Sequence, residues 1–269
     1  MKHLLTIAGS DCSGGAGIQA DLKTFSALGN YGMSVITAIT AQNTLGVDAV
    51  VEIDKAMVKA QIDAIFKDIT VDAVKVGMVS NSEIIQQITS SLLEWKPPVI
   101  VIDPVMVSKS GHHLLQPEAK NALIKNLLPI ATIVTPNIPE AEVILDRKIT
   151  TIEAMERAAM DIYRLGPKSV LVKGGHLSGD AVDVFFDGVV ITKLSSPRIQ
   201  KKNTHGTGCT LSSAIASYLA SEEDIILAIS KAKEYVTKAI DCGLEIGKGV
   251  GPLHHFHPFV SIQDKNSKA

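Results

Sequence analysis

Short apolar runs alternate along this chain with longer stretches of helical period. Residues 4–8, 35–41, 73–76, 99–102, 133–135 and 170–172 are brief runs rich in β-branched side chains, most of them closed by glycine or a polar residue, and they are predicted strands. Between them, residues 18–28, 55–65, 81–94, 117–128, 139–145 and 152–165 carry helical spacing. Residues 182–186 and 188–194 flank an Asp187-Gly188 turn and predict a hairpin at a sheet edge. Residues 209–220 and 222–246 predict two closing helices. Such alternation implies an α/β fold in three layers, a mostly parallel sheet with helices on both faces. Ligands of such sheets bind beyond the carboxyl ends of the strands, so the residues just after each strand are the ones to read for chemistry.

The 269 residues carry 46% hydrophobic and 20% charged side chains, which bounds the chain to one large α/β domain or two small ones. No repeat, linker or low-complexity stretch divides it, so one domain over residues 1–260 is expected, with a polar, frayed tail over 261–269. A net charge of −2 and 4% aromatics argue against nucleic-acid binding and a basic membrane surface. The first apolar run is too short for a signal peptide or a membrane span. Three cysteines, Cys12, Cys209 and Cys242, make no CxxC pair, and a reducing cytoplasm is expected.

Asn203-Thr204-His205-Gly206-Thr207-Gly208-Cys209 stands directly before a predicted helix. Gly206 and Gly208 permit close backbone approach, the helix start offers unpaired N–H groups to phosphate, and Cys209 there would have its thiolate favoured. This makes phosphoryl transfer the first hypothesis. After the first strand, Gly15-Ala16-Gly17-Ile18-Gln19-Ala20 fits the looser dinucleotide pattern, but the second strand ends in Gln42-Asn43 without the acidic residue that would hold a ribose. Gly9 to Gly14 has P-loop spacing, yet Gly15-Ala16 stand where Lys and Ser or Thr belong.

Asp103 closes a strand before Pro104 and is placed for hydrated Mg²⁺ or for a turn. Asn137 and Glu140, three apart at a helix start, suit Mg²⁺ or a capping box. Lys173 follows a strand and could neutralise a transferring phosphate. The amide of Gln42 complements a ring nitrogen beside an exocyclic amino group, or satisfies backbone groups. His254, His255 and His257 fit no common zinc spacing.

Taken together, residues 5–11, 13–24 and 41–44, Asp103-Pro104-Val105-Met106, Thr135-Pro136-Asn137 with Glu140, Lys173-Gly174-Gly175-His176, residues 202–210, and Gly251-Pro252 with residues 254–257 resemble the hydroxymethylpyrimidine/phosphomethylpyrimidine kinases, in that family's order and over nearly the whole chain. This is the vitamin-kinase branch of the ribokinase-like superfamily. The resemblance implies a ribokinase-like fold, ATP and Mg²⁺ as cofactors with room for a monovalent cation, a small-molecule pyrimidine substrate, and a homodimer. It implies two successive phosphorylations, of 4-amino-5-hydroxymethyl-2-methylpyrimidine and of its monophosphate, in thiamine biosynthesis. It matches Gln42 to pyrimidine binding, Cys209 to activation of the hydroxyl, and Gly206 and Gly208 to an anion hole. Asn137 and Glu140 match a motif tied to Mg²⁺ and phosphate, and Lys173 and Asp103 match polar positions near the ATP phosphates. Gly9, Asp11, Val105 and Met78 are further candidates for the substrate pocket, with Met106 beside them; Thr135 and Thr207 are candidates for ATP. Sugar kinases of the superfamily carry Asp where Cys209 stands, and cysteine marks the pyrimidine-kinase branch. Pyridoxal kinase of the same branch, a nucleotide-binding oxidoreductase and a non-catalytic metabolite-binding protein are the alternatives.

Overall fold

The computed structural model describes residues 1–106, 116, 118–175, 181–221 and 224–259. The tail at 261–269, His176, and the expected helix starts at 117 and 222 lie outside the described residues. Among the described residues nine strands form one sheet in the order β3-β2-β1-β4-β5-β6-β7-β8-β9. They are β1 (His3–Asp11), β2 (Tyr31–Gln42), β3 (Val47–Glu52), β4 (Ala73–Val76), β5 (Ile100–Ile102), β6 (Ile133–Val134), β7 (Val170–Val172), β8 (Ala181–Phe186) and β9 (Ile191–Ser196). The pairs from β2 through β7 are parallel, and the outer pairs are antiparallel.

The helices are α1 (Gly17–Ala27), α2 (Lys55–Phe66), α3 (Ser82–Trp95), α4 (Ala119–Ala122), α5 (Ile138–Leu145), α6 (Ile152–Tyr163), α7 (Thr207–Leu219) and α8 (Ile225–Asp241). Because side chains alternate across a strand, β1 sends Leu5 and Ile7 to a core shared with α2 to α6, and Leu4 to a core shared with α1, α7 and α8. The α/β three-layer expectation therefore holds. None of the described helices is long and apolar enough to cross a membrane.

Four expectations are corrected. β3 went unforeseen: it is a mostly exposed antiparallel edge strand, reached through a turn in which Asn43 Oδ1 accepts from Leu45 N at 2.8 Å. The helix expected to 128 is α-helical only to Ala122, then widens to a π turn over Leu123–Leu127 and a 3₁₀ turn over Leu128–Ile130, because Pro129 has no N–H to continue an α-helix. The last helix ends at Asp241 instead of 246, next to Gly243. The hairpin lies at the sheet edge as expected, but β9 starts at Ile191, since Asp187 Oδ1 accepts from both Val189 N and Val190 N and widens the turn.

Phe25 is wholly buried between α1 and the sheet. Phe25→Ala should lower the unfolding free energy by about 3–5 kcal/mol, read from denaturant melts; a loss below about 1 kcal/mol would contradict this packing.

Candidate active site

The parallel strands end at one edge of the sheet, and their following residues meet there. β1 leads into a glycine-rich loop built on Asp11. Its carboxylate accepts from Ser13 N (2.9 Å), Ser13 Oγ (2.7 Å), Gly15 N (3.2 Å), Ala16 N (2.8 Å) and His205 Nε2 (2.9 Å). Burial opposes the charge on Asp11, but the His205 and Ser13 contacts outweigh it and hold the carboxyl below its ordinary range. With five hydrogen bonds Asp11 is the post of the loop. Gly9 lies beside the mostly buried Met78: a Cβ there would come 2.9 Å from the Met78 sulfur.

α7 begins where this loop ends. Gly206, its N-cap, has φ +80°, and a Cβ on it would meet the Gly15 carbonyl oxygen at 1.8 Å. Only glycine fits that contact. Among the described residues no side chain caps α7; Thr207 N donates to the Thr204 carbonyl at 3.4 Å, and the N–H groups after it carry the positive end of the helix dipole. Thr207 is tied down at N1, its hydroxyl donating to Thr204 O at 2.8 Å. A Cβ on Gly208 would lie 3.4 Å from both Asp103 Oδ2 and Lys173 Nζ. The helix start and the ends of β5 and β7 therefore share one space. Gly251 and Pro252 brace the segment before α7: His205 N donates to Gly251 O (3.0 Å), and Gly251 N donates to Asn203 Oδ1 (3.2 Å). The histidines nearby also hold structure. Buried His255 pairs with Thr210 Oγ1 at 3.0 Å, and His257 with Tyr235 O at 3.1 Å.

Beside this space Lys173 Nζ donates to Asp103 Oδ1 at 2.7 Å, and Asp103 also accepts from Thr135 Oγ1 at 3.3 Å. Thr135 is wholly buried, which commits its hydroxyl to Asp103 and the Ile102 carbonyl. Burial favours a neutral Lys173, but Asp103 and Glu140 outweigh it and keep the ammonium charged. Asn137 and Glu140 do form a capping box: Glu140 N donates to Asn137 Oδ1 and Asn137 N to Glu140 Oε2, both at 2.8 Å. Burial pushes the Glu140 carboxyl up to about 7, against the pull of Lys173.

At the end of β2, Gln42 Nε2 lies 3.1 Å from His205 Nε2, and Cys12 Sγ donates to Gln42 O at 3.1 Å. Met106 is buried and Val105 half-buried after β5, where Val105 N donates to Asp103 O at 2.8 Å. Cys209 is half-buried; burial pushes its thiol up to about 11, although Lys75 and the Gly17 N–H pull it down. Burial thus opposes the thiolate expected at this position.

Sequence reasoning missed His205, which donates to Asp11 beside Gln42, and a fully buried Asp21–Lys75 pair. The second had a visible signal, a lysine within the apolar strand Ala73–Val76. His205 also fills the face of Gly15 (a Cβ there would meet its ring at 2.3 Å), so this part of the glycine loop packs against α7 and offers no cradle to a dinucleotide.

The family model for phosphomethylpyrimidine kinase matches residues 11–254. The chain is 56% identical over 257 residues to the hydroxymethylpyrimidine/phosphomethylpyrimidine kinase of Rhizobium meliloti, a match covering 94% of this chain and 96% of that one. It is 49% identical over 263 residues to the thiamine biosynthesis bifunctional protein ThiED of Geobacter sulfurreducens, covering 97% of this chain and 54% of that protein. The structure is similar to that of Bacillus subtilis pyridoxal kinase in its ADP complex, with a TM-score of 0.90, 40% identity, and coverage of 97% of this chain and 100% of that one.

Glu140 titrates near pH 7 when folded, against an ordinary value of 4.5. Between those values the folded state binds more protons, so the stability this carboxyl contributes is full below pH 4.5 and is lost as pH rises through about 7. Glu140→Gln preserves the capping box and should flatten the fall of unfolding free energy over that window. An unchanged slope in denaturant melts would contradict the assignment.

Proposed function

The chain belongs to the phosphomethylpyrimidine kinase family, and from that premise we propose its reaction. With ATP it phosphorylates the hydroxymethyl group of 4-amino-5-hydroxymethyl-2-methylpyrimidine, then the monophosphate, giving the pyrophosphate used in thiamine synthesis. The observation that carries this reading is the uncapped start of α7 opening onto the Lys173–Asp103 pair. Phosphoryl transfer needs positioning and charge stabilisation above all, and a helix N-terminus beside a buried ammonium supplies both. The ATP phosphates lie between α7 and Lys173, and Gly206 and Gly208 form the anion hole. The pyrimidine lies by Gln42, with Gly9, Met78 and Val105 around it. The enzyme acts as one kinase domain over residues 1–260, in the cytoplasm and as a homodimer.

Among the described residues no three His, Cys, Asp or Glu side chains gather into a protein cage for a metal. Mg²⁺ is commonly held otherwise, by one or two carboxylates together with waters and substrate phosphates. Asp103 and Glu140, both buried oxygen donors that bear on Lys173, suit that mode, with Asn137 at Glu140's side. Bound there, the metal would neutralise charge on the ATP phosphates.

In the first step Cys209 as thiolate takes the alcohol proton. The alcohol oxygen bonds the γ-phosphorus, and the bond from that phosphorus to the bridging oxygen of ADP breaks. In the second step the acceptor is an already ionised phosphate and needs no such base. Cys209→Ala should therefore slow the first step about 10²–10⁴-fold and the second far less, each followed separately by ADP release. Because the Cys209 thiol is pushed up to about 11, the wild-type first step should rise with pH from 7 to 9 while the second stays nearly flat. Equal losses, or parallel pH profiles, would make Cys209 part of the phosphate cradle only. Gln42→Leu should raise KM for the pyrimidine and leave KM for ATP nearly unchanged; an unaltered pyrimidine KM would remove Gln42 from ring recognition.

A second acceptor is supported by the likeness to a pyridoxal kinase over nearly the whole chain. Assaying pyridoxal beside the pyrimidine alcohol decides between them, and the acceptor with the higher kcat/KM names the function.

A further inference from the structure

Beneath the start of α7 lies a second charged pair, which neither phosphate binding nor ring recognition uses. Lys75 is the third residue of β4, flanked by Val74 and Val76. Strand alternation turns it, like Ala73, toward the layer of α1, α7 and α8. It is wholly buried, and a buried ammonium persists only with a partner. Asp21 of α1 supplies one: Lys75 Nζ donates to both its oxygens, at 2.9 and 2.8 Å. Thr6 Oγ1 from β1 and Ser213 Oγ from α7 each donate to Asp21 at 2.6 Å. The carboxylate thus accepts four bonds, its full complement.

The placement of this network follows the helix repeat. Cys209 and Ser213 are four apart on α7, and Gly17 and Asp21 are four apart on α1, so each pair shares a face one turn apart. The two helices pack together, and one turn along from Gly17 and Cys209, Asp21 accepts a hydrogen bond from Ser213. Cys209 therefore sits one step along this contact from a buried ion pair. We propose that Lys75, held by Asp21, is a positioning residue for Cys209: its ammonium is the counter-charge of the thiolate that takes the alcohol proton, and Ser213 keeps α7 in register over it. The inference rests on the kinase reading for its purpose but not for its physics.

The charges around Cys209 are consistent with this. Burial raises the thiol most, and Lys75 is the strongest opposing influence. Asp21 from α1 and Asp103 from β5 raise the thiol further, and the Gly17 N–H lowers it. Lys173, just after β7, also interacts electrostatically with Cys209. Asp21 thus holds Lys75 charged while partly offsetting its effect on the sulfur.

The test is alkylation of Cys209 by iodoacetamide, which reads the thiolate, followed peptide by peptide with mass spectrometry in wild type, Lys75→Met and Lys75→Met/Asp21→Asn. The double variant leaves no charge unpaired and carries the test if the single variant fails to fold. At pH 8 the folded Lys75→Met protein should alkylate Cys209 about 10-fold or more slowly than wild type, and the double variant should shift in the same direction by less. Phosphorylation of the alcohol should fall in parallel, and that of the monophosphate should not. Unchanged alkylation in a folded variant overturns the inference and gives the pair a packing role only. If wild type phosphorylates neither acceptor, the kinase reading fails instead, and the alkylation comparison still decides whether Lys75 acts on Cys209.

Discussion

The contact of Gly206 with the Gly15 carbonyl fixes where the rest of the site stands. It lays the start of α7 against the loop after β1, at a separation that admits no side chain. Asp11 holds that loop by four hydrogen bonds to Ser13, Gly15 and Ala16, and reaches His205 just before Gly206. Two segments nearly two hundred residues apart are thereby locked as one unit. The helix N-terminus then points over the ends of β5 and β7, where Asp103 and Lys173 wait.

Charge in this region is arranged in two tiers. Lys173, with Asp103 and Glu140, lies at the rim where phosphates would be received. Lys75, with Asp21, lies beneath the cysteine, away from water. A buried pair of this kind is weak evidence for stability, since desolvation can consume its Coulomb energy. Its retention inside a strand that is otherwise apolar is better understood through the group it faces. The same burial that shelters the pair raises the Cys209 thiol, so the site gains a dry, preorganised field and loses a ready base. With Cys209 in the proposed base role, an alcohol acceptor would feel that loss and an ionised phosphate would not.

Much of this was legible beforehand. The strand-helix alternation gave the layers, and the residues after each strand did gather at one edge. Cys209, Lys173, Asp103 and Gly208 meet there because the parallel sheet brings their strand and helix ends together. The capping box read at Asn137 and Glu140 is formed, and it leaves the Glu140 carboxylate one oxygen uncommitted to the cap. What stayed hidden depended on tertiary packing. β3 has a mixed pattern because an edge strand is half solvated. Asp11 reads as a free carboxylate until the loop folds around it. Burial, which no local pattern reports, decides the protonation of Cys209. Lys75 was visible as an oddity, but its partner lies 54 positions earlier, on another element.

The central claim, two phosphorylations at one site, is tested most directly by following the phosphorus atoms. The wild-type protein with excess ATP, Mg²⁺ and the pyrimidine alcohol should yield the pyrimidine pyrophosphate, seen by ³¹P NMR as a coupled pair of resonances, with two ADP formed per pyrimidine. A product that stays at the monophosphate after one ADP, or no ADP formation with either pyrimidine acceptor, would contradict the account.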